Sequence, residues 1–276
     1  MITRLLLLFC IVANANAFYR EYKIKEIPRN INTTYLRDSL RYLALTSQSE
    51  TIINTTFSDK STSKIKLMTF TQEGIRVLII SNLITGVQSV NIISLHNAED
   101  IYRSVAKTMI KHTPFTFMVN SFYSKQYGGI RERIIQNISR GVVTINAIGS
   151  ASVYGTLLAI ELSSLQIPVD KIVLFGGARF TDDKTHQSIA HTFASKMVSI
   201  THERDISHKM QLRRKYASSI PNQYIICDRI TQCNNDIFTL KHFNITKLIR
   251  HFSNVPHLYS EIYHDSLLAY HEIYNN

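Results

Sequence analysis

The sequence predicts an α/β domain, a mostly parallel sheet flanked by helices on both faces, and three observations carry that expectation. Short β-branched runs alternate along the chain with segments whose apolar residues recur at helical spacing, the pattern of strands joined by crossover helices. The run Val142–Ile145 meets the helical pattern Ser152–Leu162 through a turn of small residues, Ala147-Ile148-Gly149-Ser150-Ala151. The composition, 276 residues with 45% apolar and only 18% charged, is enough to bury a large single core.

In chain order, Asn32–Ser47 has Leu36, Leu40, Leu43 and Leu45 at helical spacing behind a Thr/Asn start. Lys64–Thr71, Arg76–Ser81 and Ser89–Leu95 read as three strands separated by turn-prone residues. Ile101, Val105, Met109 and Ile110 form an apolar stripe opposite Arg103, Lys107 and Lys111, predicting an amphipathic helix over Asp100–Lys111. Phe115–Val119 reads as a strand and Ile130–Ile138 as a helix. Gly128-Gly129, just before that helix, is either a plain helix-starting turn or an anion site at the helix N-terminus. After Ser152–Leu162, Pro168 stops the pattern, and Lys171–Phe175 is a strand ending at Gly176-Gly177. His186–Lys196 reads as a helix, Met197–Thr201 as a strand and His202–Ser207 as a loop at its carboxyl edge. Ligands of such sheets gather at the carboxyl ends of the strands, where the small-residue turn and the 202–208 loop both fall.

The first 17 residues have the form of a secretory signal: Arg4, the apolar run Leu5–Val12, and Ala15-Asn16-Ala17 as a cleavage site. An uncleaved anchor is the alternative, although the run is short for a bilayer span. Residues 18–276 are then one domain of the secreted chain. Cys10 leaves with the signal, so Cys227 and Cys233 remain, six apart, as one disulfide or, less simply, part of a metal pair. No histidine pair has zinc-ligand spacing, His186/His191 and His202/His208 included, and neither metal nor cofactor is expected.

The formal charge is +11, and 30 basic against 20 acidic residues remain without Arg4. Lys209, Arg213, Arg214 and Lys215 are either a solvated face or a contact for an anionic surface. Nucleic acid is excluded as a partner by the secretory start and the lack of any nucleic-acid module. Asn32, Asn54, Asn137 and Asn244 stand in glycosylation sequons.

A strand turning sharply into a helix through small residues is the setting of the G-x-S-x-G nucleophile elbow. Here Ala147 and Ala151 keep the small flanks, and the central position is Gly149. Four segments extend the likeness. Asn146–Leu162 (NAIGSASVYGTLLAIEL) resembles, without a gap, the G-H-S-L-G-G elbow and following helix of the fungal-type (class 3) lipases. Lys171–Phe180 (KIVLFGGARF) is similar to their F-G-x-P-R turn, with Ala178 for proline. Ser199–His208 (SITHERDISH) is similar to V-N-x-x-D-I-V-P-H, and Val119–Tyr123 (VNSFY) to V-H-x-G-F.

The resemblance implies an α/β-hydrolase fold with a Ser-His-Asp triad. It places the acid at Asp205, whose plain alternative is a solvent-facing carboxylate beside Arg204 or Lys209. The histidine falls on His271, with its Tyr274 at family spacing, or on His264 or His251. The nucleophile position is Gly149, which has no oxygen. Ser150 is the neighbouring substitute, but in that frame Ile148 crowds the turn and the hydroxyl points differently. The oxyanion motif F-R-G-T/S falls on Leu95-His96-Asn97-Ala98, leaving Ala98 without a side-chain donor worth roughly 3–4 kcal/mol. The Asp100–Lys111 stripe lies where these lipases carry a lid, or is plain core packing. The expectation is a lipase-like protein that has lost catalysis and binds lipid or another apolar ligand. An active serine esterase using Ser150, Asp205 and His271, and an extracellular interaction protein, are the alternatives.

Overall fold

The computed structural model describes residues 33–58, 64–95, 109–111, 117–139, 141–202, 205, 223–226 and 259. The signal segment, Cys227 and Cys233, the Lys209–Lys215 cluster, Ala98, Asn32, Asn244 and His251, His264 and His271 lie outside the described residues.

The elements are α1 (Thr33–Thr46), α2 (Glu50–Ser58), β1 (Ile65–Gln72), β2 (Ile75–Asn82), β3 (Gln88–Ser94), β4 (Met109–Lys111) and β5 (Met118–Asn120). They continue with α3 (Ser121–Asn137), β6 (Val143–Ile148), α4 (Ala151–Ser164), β7 (Val169–Phe175), α5 (Asp183–Thr192), β8 (Met197–His202) and β9 (Gln223–Ile226). One sheet of seven strands runs in the order β1-β2-β3-β6-β7-β8-β9. The β1-β2-β3 meander is antiparallel, and every pair from β3 to β9 is parallel. This is the α/β architecture expected from the alternating pattern.

Side chains of the central strands alternate between two cores. Val77, Ile79, Val90, Ile92, Ile145 and Leu174 pack beneath α3 and α4. On the other face, Ile93, Val173, Phe175 and Ile200 pack with Leu36 and Leu43 of α1, and Leu78 and Ile80 with Ile53 of α2. Both faces are therefore covered, as a parallel sheet requires.

α4 is the central helix. It is buried on nearly every side, which explains why its sequence is apolar all round rather than striped. Gly155 sets its closeness to the sheet: a Cβ there would lie 3.1 Å from Ala147 Cβ and 3.2 Å from Leu174 Cδ2. Its one buried carboxylate, Glu161, accepts the Tyr127 hydroxyl at 2.5 Å and pairs with Arg131 Nε, tying α4 to α3. Charge-assisted bonds of this kind hold a buried acid that would otherwise be costly.

Several sequence expectations are corrected. Residues 109–111 are a strand, not the end of a helix, because Met109, Ile110 and Lys111 pair with Asn120, Val119 and Met118. The rest of that expected helix, residues 100–108, lies outside the described residues. α3 begins at Ser121, nine residues before the expected start, with the Asn120 side chain capping Phe122 N–H at 2.9 Å. Tyr123, Tyr127, Ile130 and Ile134 give it one continuous buried face. Gly128-Gly129 is therefore helix interior, and the anion site imagined at a helix start there does not exist. α2 and β9 were not expected from the sequence. In α2 a single residue, Ile53, is fully buried, too little periodicity to read. Among the described residues, no helix is long and apolar enough to cross a membrane.

Candidate functional site

The site is built at the carboxyl ends of β6, β7 and β8. Leaving β6, the chain turns at Gly149 with φ of +65°, a left-handed conformation that side-chain-bearing residues rarely adopt. Phe175 O, at the end of β7, clamps this turn by accepting Gly149 N–H at 2.7 Å and the Ser152 hydroxyl at 3.1 Å. The helix starts immediately, its first internal bonds running from Ser152 N–H to Gly149 O and from Val153 N–H to Ser150 O. The result is a sharp strand-to-helix elbow with Gly149 at its tip. A Cβ built on Gly149 would meet nothing within 4 Å among the described residues, so the tip is open on their side.

Ser150 does not share that position. It already has right-handed helical geometry, φ −62° and ψ −22°, as the first residue leading into α4. It is buried, and its hydroxyl finds no hydrogen-bond partner among the described residues. Leaving a buried hydroxyl unsatisfied costs about 1–3 kcal/mol. The backbone N–H groups of Ser150 and Ala151 likewise make no hydrogen bond to any described residue, as at any helix start.

The neighbouring strand ends in the same way. Gly176 has φ of +63°, and its N–H is held by Ile200 O at 2.8 Å. Here the space is filled: a Cβ on Gly176 would collide with the Asp205 carboxylate and the Tyr259 hydroxyl. Asp205 follows β8 in a turn closed by its N–H on His202 O at 2.9 Å, and it is fully buried. The solvent-facing alternative for Asp205 is thereby excluded. The buried Tyr259 hydroxyl donates to Asp205 Oδ2. Burial, and then the neighbouring Asp205 charge, push the Tyr259 phenol well above its ordinary range. Its ring stands edge-on to Phe175, with centroids 5.8 Å apart, so the same residue bridges the β7 and β8 ends. His202, at the end of β8, is buried beside them.

Three of the sequence-selected positions therefore come together at one sheet end: Gly149, Ser150 and Asp205. Tyr259 was not foreseen, since nothing in its local pattern marks it. Gly176 stood in a quoted segment, but the need for glycine there is visible only once Asp205 and Tyr259 are in place. No group of three metal-ligating side chains occurs among the described residues. A shallow cleft of about 130 Å³ lies between α4 and α5, lined by Phe117, Ile160, Ile189 and Phe193. It sits along the C-terminal half of α4, away from the elbow.

No protein-family model matches the chain, and no curated protein sequence matches it. Solved structures do. Lip2 lipase from Yarrowia lipolytica superposes with a TM-score of 0.57 at 11% identity, covering 75% of this chain and 82% of that one. The M37 lipase gives 0.57 at 10% identity over 85% and 93%. A mutant of MDLA from Penicillium cyclopium gives 0.52 at 15% identity over 71% and 82%. The fold is that of the fungal lipases, an α/β-hydrolase fold, reached at identities too low for whole-sequence matching to register.

Proposed function

We propose that this chain is a lipase-fold protein without ester-hydrolase chemistry, which holds a lipid or other apolar ligand at the elbow. The carrying observation is Gly149. It has the left-handed backbone and, among the described residues, the open foreground of a nucleophile position, and no side chain with which to attack a carbonyl. Serine at this point makes the acyl-enzyme bond in a Ser-His-Asp hydrolase; bare backbone does not. Ser150 is a poor replacement, because its hydroxyl is buried and lies within the helix start. Loss of the nucleophile leaves at most the roughly 10³–10⁴-fold acceleration that binding and polarisation supply.

What remains suits binding. Among the described residues, the N–H groups of the helix start have no partner, and the tip offers space that a serine side chain would otherwise occupy. Asp205 keeps the position of the triad acid by resemblance, with Tyr259 holding its carboxylate. The signal-like start, Arg4 to Ala17, supports a secreted setting.

The test is a pair of measurements on the purified full-length chain. A fluorophosphonate probe, which labels active serines, is expected to leave it unlabelled, while a fluorescent fatty-acid analogue is retained. Labelling that disappears in Ser150→Ala would replace this reading with an active esterase. Failure of both labelling and fatty-acid retention would leave only the outer surface as a functional element.

A further inference from the structure

We infer that the end of the sheet opposite the elbow is a docking surface for an anionic lipid bilayer, led by the Leu83–Ile84 tip of the β2–β3 hairpin. Turn tips ordinarily carry polar residues and glycine, because they face water on all sides. This one carries two large aliphatic side chains, Leu83 at 59% and Ile84 at 66% exposure. The tip is rigidly built. Asn82 Oδ1 accepts the N–H groups of Ile84 at 2.9 Å and Thr85 at 3.1 Å. Asn82 O accepts Gly86 N–H, and Asn82 N–H bonds to Val87 O, both at 2.9 Å. Gly86 closes the turn with φ of +72°. The side chains are thus held outward by the backbone, at a cost in exposed apolar surface that folding does not recover.

The patch extends beyond the tip. Exposed Val87 lies beside exposed Val142, whose carbonyl accepts Gln88 N–H at 2.9 Å, and Gly141 packs against the Gly86 carbonyl. Exposed Leu165 stands in the loop whose Pro168 carbonyl accepts Val143 N–H at 2.9 Å. Five of the eight exposed large apolar residues among those described therefore share one end of the sheet, where scattered placement would need no explanation.

Charge decides the occupant. Exposed Lys64 accepts Leu83 N–H through its carbonyl, and exposed Lys66, Lys171 and Lys196 lie on the same strand ends. Among the described residues of these strand ends Asp170 is the acid, and the Lys171 ammonium lies 4.4 Å over the Tyr35 ring. Aliphatic side chains on a protruding turn, ringed by lysines in a chain of net charge +11, match an interface in which apolar tips enter the headgroup layer and cations meet anionic lipids. A strand of seven residues separates this end from the elbow by about 20 Å. The elbow would then face away from the bilayer, leaving its space free for a ligand.

The test is co-sedimentation of the full chain with phosphatidylcholine vesicles, with and without phosphatidylserine. The wild type is expected to pellet with the anionic vesicles. The double variant Leu83→Asp, Ile84→Asp should lose at least about tenfold in partitioning while keeping its melting curve, since aspartate suits turn positions. Lys64→Glu with Lys66→Glu should remove only the preference for phosphatidylserine. Wild-type protein that stays in solution, or a tip variant that pellets undiminished, overturns the inference. So does a wild-type dimer that the tip variant dissociates, which would make a second copy the occupant.

Discussion

Gly149 and Gly176 end adjacent parallel strands with nearly the same left-handed backbone, φ of +65° and +63°, yet their surroundings are opposite. Around Gly176 the space for a side chain is taken by Asp205 and Tyr259, so glycine is compelled by packing. Around Gly149 no described residue stands within 4 Å, so among these residues a side chain would fit, and only the backbone conformation opposes one. The difference separates a structural glycine from a chemical one. At the first position, substitution breaks the molecule; at the second, it changes what the molecule can do.

The largest effect should follow Gly176→Ala. Left-handed strain of about 1–2 kcal/mol adds to overpacking of about 1–3 kcal/mol against groups with no room to retreat. A loss of roughly 2–5 kcal/mol in urea unfolding is expected. A loss below about 1 kcal/mol would show that Asp205 and Tyr259 yield easily, and the contrast with Gly149 would collapse.

Tyr259→Phe tests the same wall from the other side. It removes a hydrogen bond to a buried carboxylate, a change worth about 1.5–3 kcal/mol. It also has a pH signature. The folded protein holds the Tyr259 phenol above its ordinary value, first through burial and then through Asp205. In the unfolded chain the phenol titrates near 10. Stability from this group is therefore complete below about pH 10 and declines above it, as the unfolded state releases a proton that the native state retains. Tyr127, raised by burial and then by Glu161, contributes in the same direction. The decline in unfolding free energy above pH 10 should be shallower in Tyr259→Phe than in the wild type. Equal slopes would mean that the Tyr259 phenol is not held above its ordinary range in the folded protein.

The two glycines also show how far sequence reading reaches. The elbow was legible because strand, turn and helix are contiguous: Val143–Ile148, Gly149 and Ala151–Ser164 follow one another, and small flanks are a local signature. The parallel sheet was legible for the same reason, since apolar runs and helical stripes alternate. Asp205 was identified through resemblance, but its burial was not, because nothing in SITHERDISH distinguishes an exposed turn from one closed over by a distant tyrosine. Tyr259 is 54 residues away in sequence. A pairing of that separation leaves no periodic trace, and the candidate histidines were chosen by motif spacing instead. The stripe over residues 100–111 ran too far at its end for the converse reason: helical spacing continues locally to Lys111, while the partner strand that takes Met109–Lys111 comes later in the chain.

The smallest change in stability should come at Gly149, and it is the most informative. Gly149→Ala meets no atom of the described residues, so the left-handed backbone is what opposes it, at about 1–2 kcal/mol. Gly149→Ser should cost the same, yet it places an oxygen at the tip of the elbow, facing the open space and next to the unpaired N–H groups of the helix start. If the rest of the site has kept its geometry, this variant acquires fluorophosphonate labelling that Gly149→Ala lacks. Adding His271→Ala, His264→Ala or His251→Ala to Gly149→Ser then identifies the base, since a serine without its histidine loses nearly all of its reactivity. A Gly149→Ser protein that folds but stays unlabelled would show that more than the nucleophile has gone. The open tip would then serve ligand binding alone, and the contrast between the two glycines would concern space rather than lost chemistry.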